Sequence, residues 1–448
     1  MRKLKNFPYK NILVLGLAKS GTAVSKILYR NERNVIVNDL KSGTQDPHVT
    51  ELKNMGIPVI IGEHPLSLLD GIDVIIKNPG IPYDNIMLKE AIQQGIPIIT
   101  EIELLHYFDI NRLVGITGSN GKTTTTTLIY EMYRQAHVPV KIAGNIGHVA
   151  SEVAEGTDDE STMVVELSSF QLQGTRKFKP SVSVLLNIFE AHLDFHENLE
   201  NYQNAKAHIF QNQTSEDFLV YNADDERVSE LVKSAKSSLV PFSRVKKLKN
   251  GAFIDQEAIF FEDEKVMNVR EIALVGSHNL ENILAAVAVA KIAGIPSSAV
   301  KSVLTRFTGV SHRLQFVANV NERVFFNDSK ATNILATSKA LQSFDQPVIL
   351  LAGGLDRGNE FDELLPHLNN VKALVLFGET AEKLSRLGMD AGISSITVVE
   401  NMSEAVRKSY QLSEEGDVIL LSPACASWDQ YKTFEERGNM FMESVHRL

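Results

Sequence analysis

The chain has 448 residues, of which 44% are hydrophobic and 22% charged, and its formal net charge is −10. At about 150 residues per domain, this length predicts three domains, and the composition is that of a folded globular protein. An acidic chain lacks the basic surface that non-specific nucleic-acid or anionic-membrane binding requires, and no apolar run is long enough to span a bilayer. The single cysteine, Cys425, excludes an intramolecular disulfide and a cysteine-rich metal site. We therefore expect a monomeric cytoplasmic protein without nucleic-acid or membrane partners.

The first predicted block covers residues 1–105 and alternates short apolar runs with amphipathic segments of helical length, a pattern typical of largely parallel α/β domains. Its predicted strands are 11–16, 35–37, 59–61 and 74–76. The first strand leads into Gly16-Leu-Ala-Lys-Ser-Gly21, which resembles a dinucleotide-binding fingerprint with alanine in place of the second glycine. Asp39 follows the second strand at the distance expected of a ribose-binding acid. The block is predicted to be Rossmann-like.

The second block, residues 106–309, contains the most specific motif of the chain. Predicted strand 113–117 leads through Gly118-Ser-Asn-Gly121 into Lys122, Thr123 and an amphipathic segment, 125–135. Glycines let backbone N–H groups converge on phosphate oxygens, Lys122 supplies a positive charge and Thr123 can bind Mg²⁺. The strict P-loop pattern is not met, because its first glycine lies one residue too early. A nucleoside triphosphate site remains the prediction, with a surface turn as the alternative.

Further strands of this block are predicted at 163–165, 182–186 and 218–221, followed by a long apolar helix at 279–293. Glu166 follows one of these strands and His192 another. Because the carboxyl ends of parallel strands meet at one edge of a sheet, both side chains can reach the phosphate loop and bind a metal ion. The alternatives are a solvated strand-end glutamate and a structural histidine.

The third block, residues 310–448, begins with a predicted hairpin whose turn falls around 319–322. Its strands are 314–317 and 324–326, followed by further strands at 348–351, 373–377, 396–399 and 418–421. Helix-length segments separate the later strands, so this block is predicted to be a second Rossmann-like domain. The fold class is therefore α/β with three domains: a Rossmann-like N-terminal domain, a P-loop central domain and a Rossmann-like C-terminal domain.

Several of these motifs together resemble one family, the ATP-dependent Mur ligases of peptidoglycan precursor synthesis. Thr117 to Thr124 is similar to the family's phosphate loop, and His278 to Asn282 is similar to its nucleotide-contacting helix start. The resemblance extends over all three blocks. Asn327 to Asn333 and Leu421 to Gln430 resemble the member that adds D-glutamate.

The resemblance implies a reaction and its cofactors. ATP would phosphorylate the free carboxylate of UDP-N-acetylmuramoyl-L-alanine, and the amine of D-glutamate would attack this acyl phosphate, releasing ADP and phosphate. Two Mg²⁺ ions are implied near Thr123, Glu166, His192 and Lys206, and Lys206 would be carbamylated, which converts its cation into an anion. Without the resemblance, Lys206 is interpreted as a solvated lysine on a helix.

The resemblance also assigns residues to each ligand. The residues expected to act in catalysis are Lys122, Glu166, His192 and Lys206. Those expected at ATP are Gly118, Ser119, Asn120, Gly121, Lys122, Thr123, Thr124, Asn279, Asn282, Arg313 and Asp328. Those expected at the UDP substrate are Lys19, Ser20, Asp39, Asn78, Gly80 and Asn145, and those at D-glutamate are Lys330, Thr332, Arg357, Ser427 and Phe434.

Three of the D-glutamate residues have other interpretations. Arg357 stands where some relatives carry lysine, which keeps the charge but changes the geometry. Phe434 is equally typical of a core residue, and Ser427 of a cap on the following helix.

Other functions compete with this interpretation. One is a neighbouring Mur ligase or a folylpolyglutamate-type synthase, although the latter should lack the first nucleotide-binding block. A second is an NAD-dependent oxidoreductase that uses the first block, and a third is a non-catalytic protein that binds ATP without turnover.

Overall fold

The computed structural model describes residues 1–43, 45–146, 148–274, 276–358 and 360–448. Its strands form three separate sheets with helices between them, which confirms the predicted α/β class and its three-part architecture. In the part of the chain described, no helix combines the length and the apolar character needed to cross a membrane. The predicted domain boundaries, 105/106 and 309/310, stay predictions.

The first sheet has five parallel strands in the order β3-β2-β1-β4-β5. The strands are β1 Asn11–Leu15, β2 Asn34–Asp39, β3 Val59–Ile61, β4 Val74–Lys77 and β5 Ile98–Ile99. The helices are α1 Lys19–Arg30, α2 Pro47–Asn54, α3 Ile86–Gln93 and α4 Leu104–Tyr107. The strand order reverses between β1 and β4, so the loops after these two strands border a crevice of the kind in which α/β sheets bind ligands.

The second sheet has nine strands in the order β14-β13-β12-β11-β10-β9-β6-β8-β7. They are β6 Leu113–Thr117, β7 Val140–Gly144, β8 Thr162–Glu166, β9 Val182–Leu185, β10 Phe218–Asn222, β11 Ser238–Ser243, β12 Ala252–Asp255, β13 Ala258–Phe261 and β14 Glu264–Asn268. The helices are α5 Lys122–Gln135, α6 Ala150–Glu155, α7 Ser169–Leu172, α8 Leu193–His196, α9 Leu199–Ala207, α10 Glu226–Leu231, α11 Ser277–Ile292 and α12 Ser297–Leu304. Strands β6, β8 and β9 are neighbours, so their carboxyl ends bring the loops of this sheet together.

The third sheet has six strands in the order β15-β16-β20-β17-β18-β19. They are β15 Gln315–Val320, β16 Arg323–Asn327, β17 Val348–Gly353, β18 Val371–Phe377, β19 Ser395–Val398 and β20 Val418–Leu421. The helices are α13 Ile334–Leu341, α14 Ala381–Asp390, α15 Met402–Leu412 and α16 Phe434–Val445. The predicted hairpin is confirmed, because β15 and β16 pair antiparallel around residues 321–322, while the other strand pairs are parallel.

Short 3₁₀ helices also occur, at Leu66–Leu69, Glu101–Glu103, Val232–Ser234, Val269–Glu271 and Asp362–His367. The chain divides into two compact units, Met1–Ile272 with Ser277–Arg306, and Ala273–Gly276 with Phe307–Leu448. The first unit contains the first two sheets and the second unit contains the third.

Helix α11 is deeply buried in the second block. All eight residues from Ile283 to Ala290 are fully buried, so the helix is apolar around its whole circumference there. A helix of this kind belongs inside a protein core, since no face of it can be exposed without loss of hydrophobic stabilisation. Asn282, which directly precedes this buried stretch, is thereby held beside Gly121 of the phosphate loop.

Candidate active site

The phosphate loop lies between β6 and α5, as predicted. Gly121 has φ +81°, and a Cβ there would lie 2.0 Å from the side-chain oxygen of Asn282 on α11. A side chain at Gly118 would collide with Leu186 at 2.8 Å, just after β9. Glycine at these positions therefore allows α11 and the end of β9 to approach the loop closely.

Two lysine side chains converge on one carbonyl of this loop. Lys122 Nζ donates to the carbonyls of Gly118 at 2.8 Å and Ser119 at 3.0 Å. Lys206 Nζ, from α9, also donates to the Gly118 carbonyl, at 2.9 Å. Burial lowers the pKa of Lys206 well below its ordinary value, and the neighbouring Lys122 charge lowers it further. The Lys122 charge beside the backbone N–H groups of the loop suits an anionic polyphosphate.

The environment of Lys206 contradicts the alternative of a solvated helix lysine. Its side chain is only 1% exposed, and its ammonium lies 4.6 Å from the ring centre of Tyr202, one turn earlier on α9. A buried lysine of lowered pKa has a larger fraction of neutral, nucleophilic amine than an exposed one.

Residues 187–189, just after β9, hold the loop in place, and sequence reasoning, which placed only His192 of this segment in the site, did not assign them to it. The Asn187 carbonyl and side-chain oxygen accept from the backbone N–H groups of Ser119 and Asn120 at 3.0 and 2.9 Å. The Ser119 hydroxyl accepts from Phe189 N–H at 2.9 Å and lies 3.0 Å from the Tyr202 hydroxyl. Asn187 follows the predicted strand 182–186 just as Glu166 follows the predicted strand 163–165, and that position was the available signal.

Glu166 is the last residue of β8 and is 1% exposed, so it is not a solvated strand-end glutamate. One carboxylate oxygen accepts from the Asn145 side-chain amide at 2.9 Å. The other is buried and has no hydrogen-bond partner among the described residues. Thr123, at the start of α5, is also buried. An orphaned carboxylate oxygen and a threonine hydroxyl are hard oxygen donors of the kind that Mg²⁺ takes, so these residues fit the ion.

His192 lies in a different setting from Glu166. It has φ +57°, its side chain is exposed, and its ring centre lies 5.0 Å from that of Phe170. The buried His196 Nε2 lies 2.9 Å from the Ser169 hydroxyl. Within the described ranges, no three His, Cys, Asp or Glu side chains cluster closely enough to hold a metal ion. The metal role of His192 therefore stays a prediction.

The predicted nucleotide residues on α11 meet the phosphate loop. The Asn282 amide donates to the Asn279 side-chain oxygen at 3.1 Å, and Asn282 lies against Gly121 and near the Thr125 hydroxyl, at 3.4 Å. Asn282 is buried and Asn279 is partly exposed. Thr124, one residue before Thr125, is half-buried in the first turn of α5. The two asparagines are thus on one side of the helix start, as their spacing predicts.

The predicted UDP residues border the crevice of the first sheet. The Asn78 amide donates to the Ser20 hydroxyl at 3.2 Å, and Gly80 N–H donates to the Asn78 side-chain oxygen at 3.1 Å. Lys19 is exposed at the start of α1. This arrangement joins the loop after β1 to the loop after β4.

The Asp39 carboxylate, predicted to bind ribose, accepts hydrogen bonds from the backbone of its own domain. Its carboxylate accepts backbone N–H groups from Leu17 at 2.7 Å, Lys41 at 2.8 Å and Ser42 at 2.7 Å. Burial works to raise its pKa, but these hydrogen bonds hold the pKa of Asp39 below its ordinary value. Asp39 therefore fixes the first glycine-rich loop as an ionised carboxylate.

In the second compact unit, predicted site residues gather at the carboxyl ends of β16 and β20. Asp328 accepts from the Leu314 N–H at 3.1 Å and from the Ser422 hydroxyl at 2.9 Å. Burial raises the pKa of Asp328 to about 7. Lys330 N–H donates to the carbonyl of His312 at 3.0 Å, next to the exposed Arg313.

The D-glutamate candidates fall into two groups in this unit. Lys330 Nζ lies 5.4 Å from the ring centre of Phe434, and Thr332 N–H donates to the Lys330 carbonyl at 2.9 Å. Arg357 is exposed and lies 4.9 Å from the ring centre of Trp428, beside Ser427. The first group follows β16, and the second combines the loops that follow β17 and β20.

Two of the alternative interpretations are wrong. Phe434 is half-buried against Lys330 and does not belong to the core. Ser427 does not cap the following helix, because α16 begins at Phe434 and Thr433 accepts the capping hydrogen bond. The Ser427 hydroxyl is buried and has no partner among the described residues, which leaves it able to bind a ligand.

Arg437 organises these loops, and sequence reasoning did not predict it. It is fully buried, although it lies in a helix segment, Phe434-Glu-Glu-Arg-Gly438, that is typical of a solvated surface. Its guanidinium donates to the Ser329 hydroxyl at 3.0 Å and to the carbonyls of Ser329 at 2.9 Å, Cys425 at 3.0 Å and Gly353 at 3.4 Å. One side chain thus joins the loops after β16 and β20 to the end of β17, and no feature of its sequence pattern indicates this.

Family comparisons cover all three sheets. Residues 10–100 match the description "Mur ligase MurD-like, N-terminal domain", residues 116–290 match "Mur ligase middle domain", and residues 312–425 match "Mur ligase, glutamate ligase domain". The chain is 54% identical to the UDP-N-acetylmuramoylalanine--D-glutamate ligase of Oceanobacillus iheyensis, over 100% of both chains. It is 56% identical to the protein of the same name from Bacillus subtilis, over 98% of both chains.

Solved structures are similar in fold at much lower identity. UDP-N-acetylmuramate-alanine ligase MurC from Thermotoga maritima matches with a TM-score of 0.55 and 19% identity, over 98% of this chain and 99% of that one. MurF ligase from Thermotoga maritima, solved in complex with ADP, matches with a TM-score of 0.52 and 17% identity, over 100% and 98%.

Proposed function

The chain belongs to the Mur ligase family, and from that premise we propose that it adds D-glutamate to UDP-N-acetylmuramoyl-L-alanine, coupled to the cleavage of ATP to ADP and phosphate. The observation that carries the chemistry is the convergence of Lys122 and Lys206 on the Gly118 carbonyl in the phosphate loop. The observation that carries the amino-acid choice is full-length similarity to relatives named for D-glutamate. The product is a peptidoglycan precursor.

In this reaction the substrate carboxylate attacks the γ-phosphorus of ATP, the bond to ADP breaks, and an acyl phosphate forms. The D-glutamate amine then attacks the acyl carbon, loses a proton and expels phosphate, leaving an amide. Both reactants of the first step are anions, so positive charge must neutralise them before in-line attack. Lys122 supplies that charge, while the N–H groups of the loop and of the first turn of α5 orient the phosphates.

Glu166 and Thr123 are the residues proposed to hold Mg²⁺, with His192 and Lys206 near a second ion. When bound, Mg²⁺ neutralises phosphate oxygens and orients them. Asn145 holds the Glu166 carboxylate in a fixed orientation through the 2.9 Å hydrogen bond. Carbamylation of Lys206 would replace its ammonium by a carboxylate, which is a better neighbour for a cation.

The second compact unit would supply the amino-acid site. Lys330 and Arg357 carry the positive charges that two carboxylates require, and the buried Ser427 hydroxyl has an unused hydrogen-bonding capacity. Arg313 and Asp328 are proposed to contact phosphate and ribose. Thr332 and Phe434 complete the set beside Lys330.

Phosphate release tests the proposed function. ATP, Mg²⁺ and UDP-N-acetylmuramoyl-L-alanine are mixed with D-glutamate, L-glutamate, L-alanine, L-lysine or meso-diaminopimelate. We expect release with D-glutamate alone, loss of release in Lys122→Ala, and normal release in Lys249→Ala, which removes an exposed lysine. Release with another amine keeps the ligase class but contradicts the D-glutamate site, and no release with any amine contradicts the proposed function.

A further inference from the structure

Lys77 is a buried lysine that the reaction described above does not use. It is the last residue of β4, at the edge of the first sheet where the strand order reverses, and only 1% of it is exposed. Burial lowers the pKa of Lys77 to about 7. Burying an amine is unfavourable in free energy, so the interactions that offset this cost indicate why a lysine occupies the position.

The Lys77 ammonium binds the loop that follows its own strand. Nζ donates to the carbonyls of Ile81 at 2.8 Å, Pro79 at 3.0 Å and Asn78 at 3.4 Å. The three carbonyls belong to residues 78–81 and all point at one ammonium, so this short segment curves around the Lys77 side chain. A neutral apolar side chain at this position would leave these partly buried carbonyls without their donor.

The wrapped loop is the one that meets the first glycine-rich loop. Asn78 donates to the Ser20 hydroxyl at 3.2 Å, and a Cβ on Gly16 would lie 2.8 Å from Asn78 Cβ and 2.9 Å from Ile81 Cδ1. The position of Asn78 therefore depends on two features. One is the set of hydrogen bonds from Lys77 to residues 78–81, and the other is the absence of a side chain at Gly16. These two loops border the crevice in which a parallel sheet binds its ligand.

Aromatic rings enclose the ammonium on its other sides. Nζ lies 4.9 Å from the ring centre of Tyr83 and 5.6 Å from that of Phe195. Tyr83 extends the same loop, whereas Phe195 belongs to α8, three residues beyond His192. Cation–π contacts of this kind hold both rings against the charge.

We propose that Lys77 is a positioning residue that holds the loop of residues 78–83 in the conformation that binds the diphosphate nucleoside half of the UDP substrate. This inference rests on the proposed function, since it concerns the same substrate. Lys77 itself is too buried and too fully hydrogen-bonded to touch the ligand. It acts through Asn78 and Gly80, whose positions it fixes.

Calorimetric titration of UDP, with ATP titrated separately, tests the inference. Lys77→Met keeps the aliphatic length and removes the donors, and we expect UDP to bind about 10-fold more weakly while ATP binds as in the wild type. In turnover, the KM for UDP-N-acetylmuramoyl-L-alanine should rise about 10-fold, with kcat and the KM for D-glutamate little changed. The control is Lys89→Met, which makes the same change at an exposed lysine of α3 and should match the wild type.

A second variant covers the case in which Lys77→Met does not fold. Lys77→Gln is neutral, so its burial costs less, and its amide keeps two of the donor hydrogens. We expect it to bind UDP between about 2-fold and 5-fold more weakly than the wild type does. Wild-type affinity for UDP in the folded variants would overturn the inference. Equal losses of UDP and ATP affinity would also overturn it, because they would indicate general structural damage.

Different experimental results would contradict the positioning role of Lys77 and the proposed function. A wild-type protein that makes no product with D-glutamate, but binds UDP more tightly than Lys77→Met does, contradicts the function and supports the positioning role. A wild-type protein that makes the product, with Lys77→Met unchanged in UDP affinity and KM, supports the function and contradicts the positioning role.

Discussion

At the scale of single residues, Glu166 offers a direct test of the metal site. Glu166→Gln keeps the oxygen that accepts from Asn145 and removes the negative charge of the orphaned oxygen. We expect phosphate release to fall about 100-fold or more, because the charge stabilisation from a bound divalent ion is worth several kcal/mol. The Mg²⁺ concentration for half-maximal activity should rise as well. Both quantities come from initial rates measured over a Mg²⁺ series.

Two observations keep this prediction specific. Thermal unfolding of Glu166→Gln should occur at or above the wild-type temperature, since a buried charge is removed and the hydrogen bond to Asn145 is kept. Glu160→Gln changes an exposed glutamate just before β8 and should leave the Mg²⁺ dependence unaltered. An unaltered Mg²⁺ dependence in Glu166→Gln would remove Glu166 from the metal site.

The second residue-scale prediction concerns carbamylation of Lys206. Burial lowers the pKa of Lys206 well below its ordinary value and so raises the fraction of neutral amine, and a neutral amine adds to carbon dioxide to form a carbamate with release of a proton. Protein incubated with ¹³C-bicarbonate should show a carbamate carbon resonance that is lost in Lys206→Ala and retained in Lys236→Ala, where an exposed lysine is changed. A wild-type spectrum without the resonance would exclude the modification.

Sequence reasoning reached the residues of the phosphate loop because their chemistry is local. Gly121, Lys122 and Thr123 act through adjacent backbone and side-chain groups, so their spacing carries the information. Lys206 is different, because its burial depends on the approach of a loop 88 residues away along the chain. Without the family resemblance, nothing in its own helix distinguishes it from a solvated lysine.

At the scale of secondary-structure elements, the approach of α11 to α5 depends on Gly121. In Gly121→Ala the new Cβ would collide with the Asn282 side chain, and alanine is strained at φ +81°. We expect ATP binding to weaken at least about 10-fold, since the loop must move to relieve the collision. Titration of ATP by calorimetry measures this loss.

A substitution at Gly294 distinguishes the effect of steric collision from that of backbone strain. It has φ +74° and no atom within 4 Å of an added Cβ, so Gly294→Ala tests the strain alone. That variant should lose about 1–2 kcal/mol of stability and keep its ATP affinity. Equal ATP affinities in Gly121→Ala and Gly294→Ala would mean that the packing of α11 does not shape the phosphate loop.

Most parallel strands were predictable because they are short, fully buried apolar runs. The strands β11 to β14 were not, and their sequences give the reason. β11 contains Pro241, which usually argues against a strand, and β11 to β14 all include exposed or half-buried residues, so none is a fully buried apolar run. β11 pairs parallel with β10 and β12, whereas β12, β13 and β14 pair antiparallel and so extend a sheet whose pattern indicated parallel strands.

At the scale of the whole molecule, two of the residues that sequence reasoning did not predict are buried cations that link segments distant in the sequence. Arg437 joins two loops of the third sheet to the end of β17, and Lys77 joins a loop of the first sheet to α8. A positive charge in a sequence indicates a solvated surface until the fold places backbone carbonyls around it. The catalytic class was therefore readable from motifs, whereas the residues that position the loops required the structure.

The stability of the whole molecule should depend on pH through Glu101, which follows β5 and accepts from Ser151 N–H at 3.1 Å. Burial raises the pKa of Glu101 from 4.5 to about 7. The folded state therefore holds a proton between pH 4.5 and 7 that the unfolded state releases, so this stabilisation is complete below pH 4.5 and is lost as the pH rises through 7. A shift of this size corresponds to about 3 kcal/mol.

Glu101→Gln mimics the protonated acid at every pH and keeps the oxygen that accepts from Ser151. The unfolding midpoint of the variant minus that of the wild type should therefore increase by at least about 3 °C from pH 5 to pH 8. The reason is that Glu101 of the wild type ionises in the folded protein over this range. Glu200→Gln, at an exposed glutamate of α9, should differ from the wild type by the same amount at both pH values. If this difference in unfolding midpoint were the same at both pH values, Glu101 would have the same pKa in the folded and unfolded states. The buried Glu101 carboxylate beside Ser151 of α6 would then be ionised without loss of stability.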